Sequence, residues 1–164
     1  MTLNTLFGSN VNAPQKIQFK QIKAVYETLY VSEDITNYLH PGQRYTAPQQ
    51  VFEAFRFLVN ETKEMFICLH LDGKNRILCC DLVSIGSLNQ AIVNPREVFK
   101  TACLSSAAAL LLIHNHPTGD PIPSSEDIAI TRRLKEAGEI ISIKVLDHII
   151  IGESYLSFVE RGLL

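Results

Sequence analysis

The stretch Ala108-Ala109-Leu110-Leu111-Leu112-Ile113-His114-Asn115-His116 decides how the chain is built. Ala108 to His114 is a short apolar run closed by the turn-forming Pro117-Thr118-Gly119-Asp120. A run of that length bounded by a turn reads as a central strand covered on both faces. Moving forward, the Gly/Pro-rich loop 117–123 gives way at Ser124 to a helix carrying Ile128, Ile130, Leu134 and Ala137. Gly138 is its expected C-cap. Ile143–Gly152 and Tyr155–Val159 read as two closing strands. Moving backward, Asn94-Pro95-Arg96-Glu97 has the form of a helix start with a capping box, predicting a helix over about 95–106. Met65–Leu71 and Arg76–Ile85 read as a hairpin around Asp72-Gly73-Lys74-Asn75. Thr46-Ala47-Pro48-Gln49 predicts a helix over about 47–60 with Thr46 as N-cap and Gln49 at the capping-box position; Val51, Phe52, Phe55, Leu58 and Val59 recur at helical spacing.

Helices and strands alternate, so the expected class is α/β, a mixed sheet with helices against its faces. Residues 1–14 are polar and read as a flexible arm. Residues 15–45 read as an extension, with a bent strand or hairpin over Lys16–Val31 and a loop over 32–45. Residues 46–164 form the main domain. With 164 residues, 46% hydrophobic and 20% charged, the chain has the balance of one globular domain. A net charge of −2 and a pI near 6.2 argue against nucleic-acid binding through bulk charge. Met1–Asn10 has neither the basic nor the apolar region of a secretory signal, and the longest apolar run, Ala107–Ile113, is far short of a membrane span. Cys68, Cys79, Cys80 and Cys103 show no CxxC spacing and are expected to be reduced, mostly buried thiols of a cytoplasmic protein.

A strand repeats its facing every two residues, so His114 and His116 project to one side and Asn115 to the other. That is an arrangement for two nitrogen ligands on one metal. Asp127, 13 residues after His114 and in the first helical turn, is the natural third ligand. Ser124-Ser125-Glu126-Asp127 is equally a helix-capping signature, and one Asp carboxylate can serve both purposes. Two histidines and a carboxylate leave a fourth position open on tetrahedral zinc, the mark of a catalytic site. Such a site needs a general acid/base and a donor for a developing oxyanion. Ser124, one turn before Asp127, is the candidate donor, although a plain N-cap is its simpler role. For the base, position leaves Glu61, Glu64, Glu97 and Glu126 open.

The His-x-His-Pro…Ser-x-x-Asp string resembles the JAMM (MPN+) zinc metalloprotease signature, and the fuller His114-Asn115-His116-Pro117-Thr118-Gly119-Asp120-Pro121-Ile122-Pro123-Ser124…Asp127 is similar to its bacterial RadC branch. Ile85-Gly86-Ser87-Leu88-Asn89, Asn94-Pro95-Arg96-Glu97-Val98-Phe99 and Leu146-Asp147-His148-Ile149-Ile150-Ile151-Gly152 extend the likeness over 46–164. The resemblance implies a cytidine-deaminase-like, three-layer α/β/α JAB/MPN fold. It also implies zinc held by His114, His116 and Asp127, Glu64 as acid/base, Ser124 as oxyanion donor, and hydrolysis of a peptide or isopeptide bond. No substrate carries over, because RadC proteins lack the insertions that shape ubiquitin-chain recognition in eukaryotic relatives. The N-terminal helix-hairpin-helix-like region of longer RadC proteins has no counterpart in residues 1–45. The alternative is a DNA-repair-associated accessory protein with a structural or vestigial zinc site, motivated by the family's habit and by Arg132, Arg133 and Lys135 on one helix. Those three residues also read as a solvated helix face. A zinc nucleoside deaminase is excluded by the missing PCxxC. His40 and His70 read as structural or solvated, and His148 as packing or as support behind the ligands. The N-terminal strand suits addition to a neighbour's sheet, which would give a homodimer.

Overall fold

The computed structural model describes Tyr26, residues 40–86 and residues 93–164. The expected arm over 1–14, the strand over Lys16–Val31 apart from Tyr26, most of the 32–45 loop and the Ser87-Leu88-Asn89 stretch lie outside the described residues. The described elements run α1 (Pro48–Phe55), a 3-10 turn (Arg56–Asn60), β1 (Met65–Leu71), β2 (Ile77–Ile85), α2 (Pro95–Leu104), β3 (Ala109–Asn115), α3 (Ser125–Ile141), β4 (Lys144–Ile151) and β5 (Tyr155–Ser157). The strands form one sheet in the order β2-β1-β3-β4-β5. β3 pairs antiparallel with β1 and parallel with β4, so the sheet is mixed. Parallel neighbours need a crossover, which α3 supplies.

All seven residues of β3 are buried, as its unbroken apolar run predicts. Alternate positions divide the core into two layers. On one face Ile67, Leu69, Leu111, Ile113, Ile149 and Ile151 pack with Val51 and Phe52 of α1 and with Leu58. On the other, Phe66, Cys68, Leu110 and Leu112 pack with Val98, Phe99 and Ala102 of α2 and Leu134 of α3. The result is the expected α/β/α sandwich. Among the described residues no helix is long and apolar enough to cross a membrane.

The caps depart from expectation in instructive ways. Pro48 occupies the first helical turn of α1, making Ala47 the N-cap instead of Thr46. It is then Gln50, not Gln49, that turns back, its Oε1 accepting from Thr46 N at 2.9 Å and Ala47 N at 3.3 Å. The helix tightens into the 3-10 turn after Phe55 and does not continue as α-helix to residue 60. Asn94 is the N-cap of α2 without a side-chain bond, and Glu97 pairs with Lys100 and Arg96, so no capping box forms there. Gly138 does not end α3, which runs on to Ile141 and is capped by Ser142 at φ +61°. Gly138 is instead needed inside the helix, since a Cβ there would lie 2.4 Å from the Ile143 carbonyl oxygen. The cysteines are all free, but with Cys68 buried, Cys79 half-buried and Cys80 and Cys103 exposed, the expectation of mostly buried thiols does not hold.

Candidate metal centre

The centre sits where β3 leaves the core. His114 and His116 face the α2/α3 layer, and α3 begins beside them with Asp127 in its first turn. Their Nε2 atoms lie 3.0 Å apart. Asp127 Oδ1 is 3.2 Å from His114 Nε2, and Oδ2 is 3.4 Å from His116 Nε2. Zinc with bonds of about 2.0–2.2 Å separates tetrahedral ligand atoms by about 3.3–3.5 Å. With one oxygen taken from Asp127 the three donor atoms lie within 4.8 Å of one another, close enough for the group to hold one ion.

Proton bookkeeping supports the fit. His116 Nδ1 lies 2.7 Å from the Asp120 carbonyl oxygen, which can only accept. Nδ1 therefore carries a proton, and when the ring is neutral it is Nε2 that would offer its lone pair to an ion. Asp127 also completes the capping box: Oδ2 accepts from Ser124 N at 2.7 Å and Ser124 Oγ at 2.6 Å, while Ser124 Oγ accepts from Asp127 N at 3.1 Å. Cap and ligand geometry coexist in one carboxylate. Burial raises the Asp127 pKa, but hydrogen bonds from His114 and His116 and the charge near it outweigh that and hold it well below the carboxylate range. Burial lowers His116, yet the Asp127 carboxylate, the Asp120 carbonyl and the Glu64 charge together leave it raised. His148, fully buried, is driven far toward the neutral form by desolvation, with the nearby His114 adding to the effect.

The loop that delivers His116 and Asp120 rests on the β4–β5 turn. His116 N donates to Ile151 O at 2.9 Å, and Glu153 N donates to Gly119 O at 2.7 Å. A Cβ on Gly152 would come within 2.2 Å of Gly119 O, so the close approach requires glycine at 152.

Glu64 precedes β1 and is half-buried. Phe66 pairs with His114 at the end of the antiparallel ladder, and Glu64 lies two residues before Phe66 as His116 lies two after His114. Its charge acts on that imidazole. Glu61 is exposed; Glu97 is exposed on α2 with its own cations; Glu126 is exposed and accepts from Ser125 Oγ. Arg132 and Arg133 are exposed and Lys135 is half-buried, with Arg132 paired to Glu136 at 3.0 Å, as a solvated helix face would have it.

His40 is exposed in its loop, and His70 is buried beside Ser105 and Cys79. His148 lies directly behind the ligands, its Nε2 2.8 Å from His114 Nδ1 and its Nδ1 2.5 Å from Thr131 Oγ1. Asp147 braces it, accepting from His148 N, Val159 N and Ser157 Oγ. Sequence reasoning missed Thr131 and the use made of Asn115. Fully buried, Asn115 accepts from Met65 N at 2.8 Å and donates to Leu58 O and Lys63 O, each at 3.1 Å. The available signal was an amide at a fully buried strand position, which has to find partners.

Comparison with known proteins agrees with this geometry. The RadC-like JAB domain family model matches residues 45–163. A UPF0758 protein of Pelobacter propionicus is 65% identical over 123 residues, covering 74% of this chain and 54% of that protein. One from Geotalea uraniireducens is 62% identical over 124 residues, with the same coverage. One from Methanosarcina mazei is 44% identical over 154 residues, covering 93% of this chain and 66% of that protein. The chain thus spans between about half and two thirds of the length of these relatives. With the match running through α1, the whole described sheet and all three candidate ligands, the chain belongs to the RadC-like JAB domain family.

Proposed function

We propose that this domain is a zinc-dependent hydrolase acting on a peptide or isopeptide bond. The observation that carries the reading is that one ligand atom from each of His114, His116 and Asp127 lies within 4.8 Å of the others, with the charge of Glu64 acting on His116. His114, His116 and Asp127 would hold a zinc ion, which would supply Lewis-acid chemistry and a water acidic enough to attack near neutral pH. Glu64 accepts the proton of the attacking water and returns it to the departing nitrogen as the carbon–nitrogen bond breaks. The Ser124 hydroxyl, exposed at the lip of the centre, turns from Asp127 Oδ2 to the substrate oxygen that gains negative charge. Asp127 keeps its place through the Ser124 amide when that hydroxyl leaves.

The test is metal analysis of protein prepared without chelator, followed by digestion of a peptide library with the zinc-loaded form. Bound zinc and selective cleavage are expected. Glu64→Gln should retain zinc and lose turnover by about 10²–10⁴-fold. Unaltered turnover would refute the Glu64 role, and absence of zinc with no uptake on its addition would overturn the whole reading.

A further inference from the structure

We propose that the cavity between the loop after His116 and the β4–β5 turn is a substrate subsite for a lysine or arginine side chain flanking the bond to be cut, with Glu153 setting that preference. The inference rests on the hydrolase reading of the metal centre and names the kind of substrate it would take. The cavity measures about 320 Å³ and is lined by Thr118, Gly119, Asp120, Pro121, Glu153 and Ser154. That is the lower end of the roughly 300–1,000 Å³ of small-molecule sites, room for one long side chain and not for a folded segment. The lining itself adjoins the candidate ligands, since the Asp120 carbonyl oxygen lies 2.7 Å from His116 Nδ1. A side chain seated there would belong to a residue near the scissile bond.

The walls are fixed before anything binds. Glu153 N donates to Gly119 O at 2.7 Å, Gly152 N to Ser154 O at 2.8 Å and Gly119 N to His116 O at 2.9 Å. Gly119 turns at φ +83°, and its missing side chain is what admits Glu153: a Cβ there would lie 3.1 Å from Glu153 Cγ and 3.5 Å from its Oε1. The Glu153 side chain therefore lies over the loop backbone. On the same loop Asp120 Oδ1 accepts from Ile122 N at 3.0 Å, which holds the second carboxylate. Walls already in place cost little ordering when a ligand arrives.

The lining is chemically one-sided. It holds two carboxylates, the hydroxyls of Thr118 and Ser154, and no basic side chain. Among the described residues, Asp72, Glu97 and Glu136 each pair with a nearby Arg or Lys, whereas neither Asp120 nor Glu153 forms such a pair. A cation on a stem of methylenes suits this space, the stem against Pro121 and the head among the carboxylates and hydroxyls. An acidic side chain would meet two like charges instead and be turned away. Asp120 and Glu153 are exposed, so water weakens the attraction. The preference for a cation over a neutral side chain should be about 3–10-fold for two such carboxylates acting together.

Two measurements on the full, zinc-loaded chain test this. Matched peptides carrying Lys, Gln or Glu at each position around the bond cut by the wild type should show one position where kcat/KM is higher for Lys than for Gln by that factor, and lower for Glu. Glu153→Gln should bring the Lys and Gln peptides to within about twofold of each other. Glu153→Lys should reverse the order of Lys and Glu, and kcat/KM for the Gln peptide should stay near wild type in both variants. A wild type indifferent to Lys at every position, or a Glu153→Lys that keeps the preference, overturns the subsite. The second measurement needs no turnover. In backbone-amide NMR, titration with Nα-acetyl-lysine N-methylamide should shift Gly119, Glu153 and Ser154 of the wild type, while the norleucine analogue should not, and Glu153→Lys should not respond. If no peptide is cut, the hydrolase reading fails and this titration decides alone: shifts abolished by Glu153→Lys uphold the cation site, and their absence removes it.

Discussion

Replacing Asn115 by alanine removes three hydrogen bonds made by one buried amide, and the consequences can be worked through partner by partner. Leu58 O keeps a partner, since Glu61 N also donates to it at 3.1 Å. Lys63 is exposed, and its carbonyl can return to water. Met65 N–H, half-buried at the head of β1, loses its side-chain acceptor, at a cost of about 1–3 kcal/mol. The vacated amide volume, on a fully buried strand, adds about 1 kcal/mol. The sum, about 2–4 kcal/mol, is a large part of the roughly 5–15 kcal/mol that holds a domain together. For a domain of this size it should lower the melting temperature by roughly 4–16 °C. The damage should also be directional. Asn115 faces α1 while His114 and His116 face α3, so zinc affinity should change less than about threefold, whereas turnover should fall because the segment carrying Glu64 is released. Calorimetry, chelator competition and the peptide digest read these three quantities separately. A loss below about 1 kcal/mol, or a fall in zinc affinity as large as the fall in turnover, would refute the idea that the amide clamps the Glu64 segment.

Gly138→Ala should destabilise by about 1–3 kcal/mol in urea unfolding although alanine is the better helix former, because its Cβ meets Ile143 O at 2.4 Å and Phe99 Cζ at 3.3 Å. A stabilised variant would mean that the α3–β4 turn adapts freely. Ser142→Gly should raise stability by about 1 kcal/mol, since Ser142 caps α3 at φ +61°, and an unchanged melting curve would refute left-handed strain there. The raised pKa of His116 means that a proton competes with the ion over a pH range reaching above that of an ordinary imidazole. Zinc affinity should therefore rise with pH through that range, and calorimetry in buffers of different ionisation heat should detect proton release at about pH 6.5, an imidazole having to be neutral to bind. In the zinc-free protein the same shift has the opposite consequence for stability. The pairing with Asp127 stabilises the fold below the ordinary imidazole pKa, and that contribution is lost as pH rises through the elevated one. No proton release on zinc uptake near pH 6 would contradict the assignment.

What could be read in the chain, and what could not, divides along the range of the interactions. β3, the facing of His114 and His116 and the Ser124–Asp127 cap depend on neighbours a few residues away, and period-two and capping rules report them directly. The cap of α1 slipped by one residue because Pro48 belongs in the first turn and moved the boundary with it. Gly138 misled for a different reason: its missing side chain serves a contact with Ile143 across the turn into β4, which local helix rules cannot see. Asn115 was placed on the correct face, but its partners lie 50 to 57 residues away, and Thr131 reads as an ordinary helical residue until α3 packs on β4.

The tripeptide His114-Asn115-His116 then has more content than a pair of ligands with a spacer. Alternation gives its two histidines to the face that would hold the ion, and its asparagine to the opposite face. There the amide ties down the chain between Leu58 and Met65, within which Glu64 stands. One strand end thus carries two candidate ligands on one face and, on the other, the amide that holds the segment containing Glu64. A JAB domain with a different residue at the central position would need another anchor for that segment. This is why the Asn115 variant, and not a ligand variant, separates metal binding from catalysis.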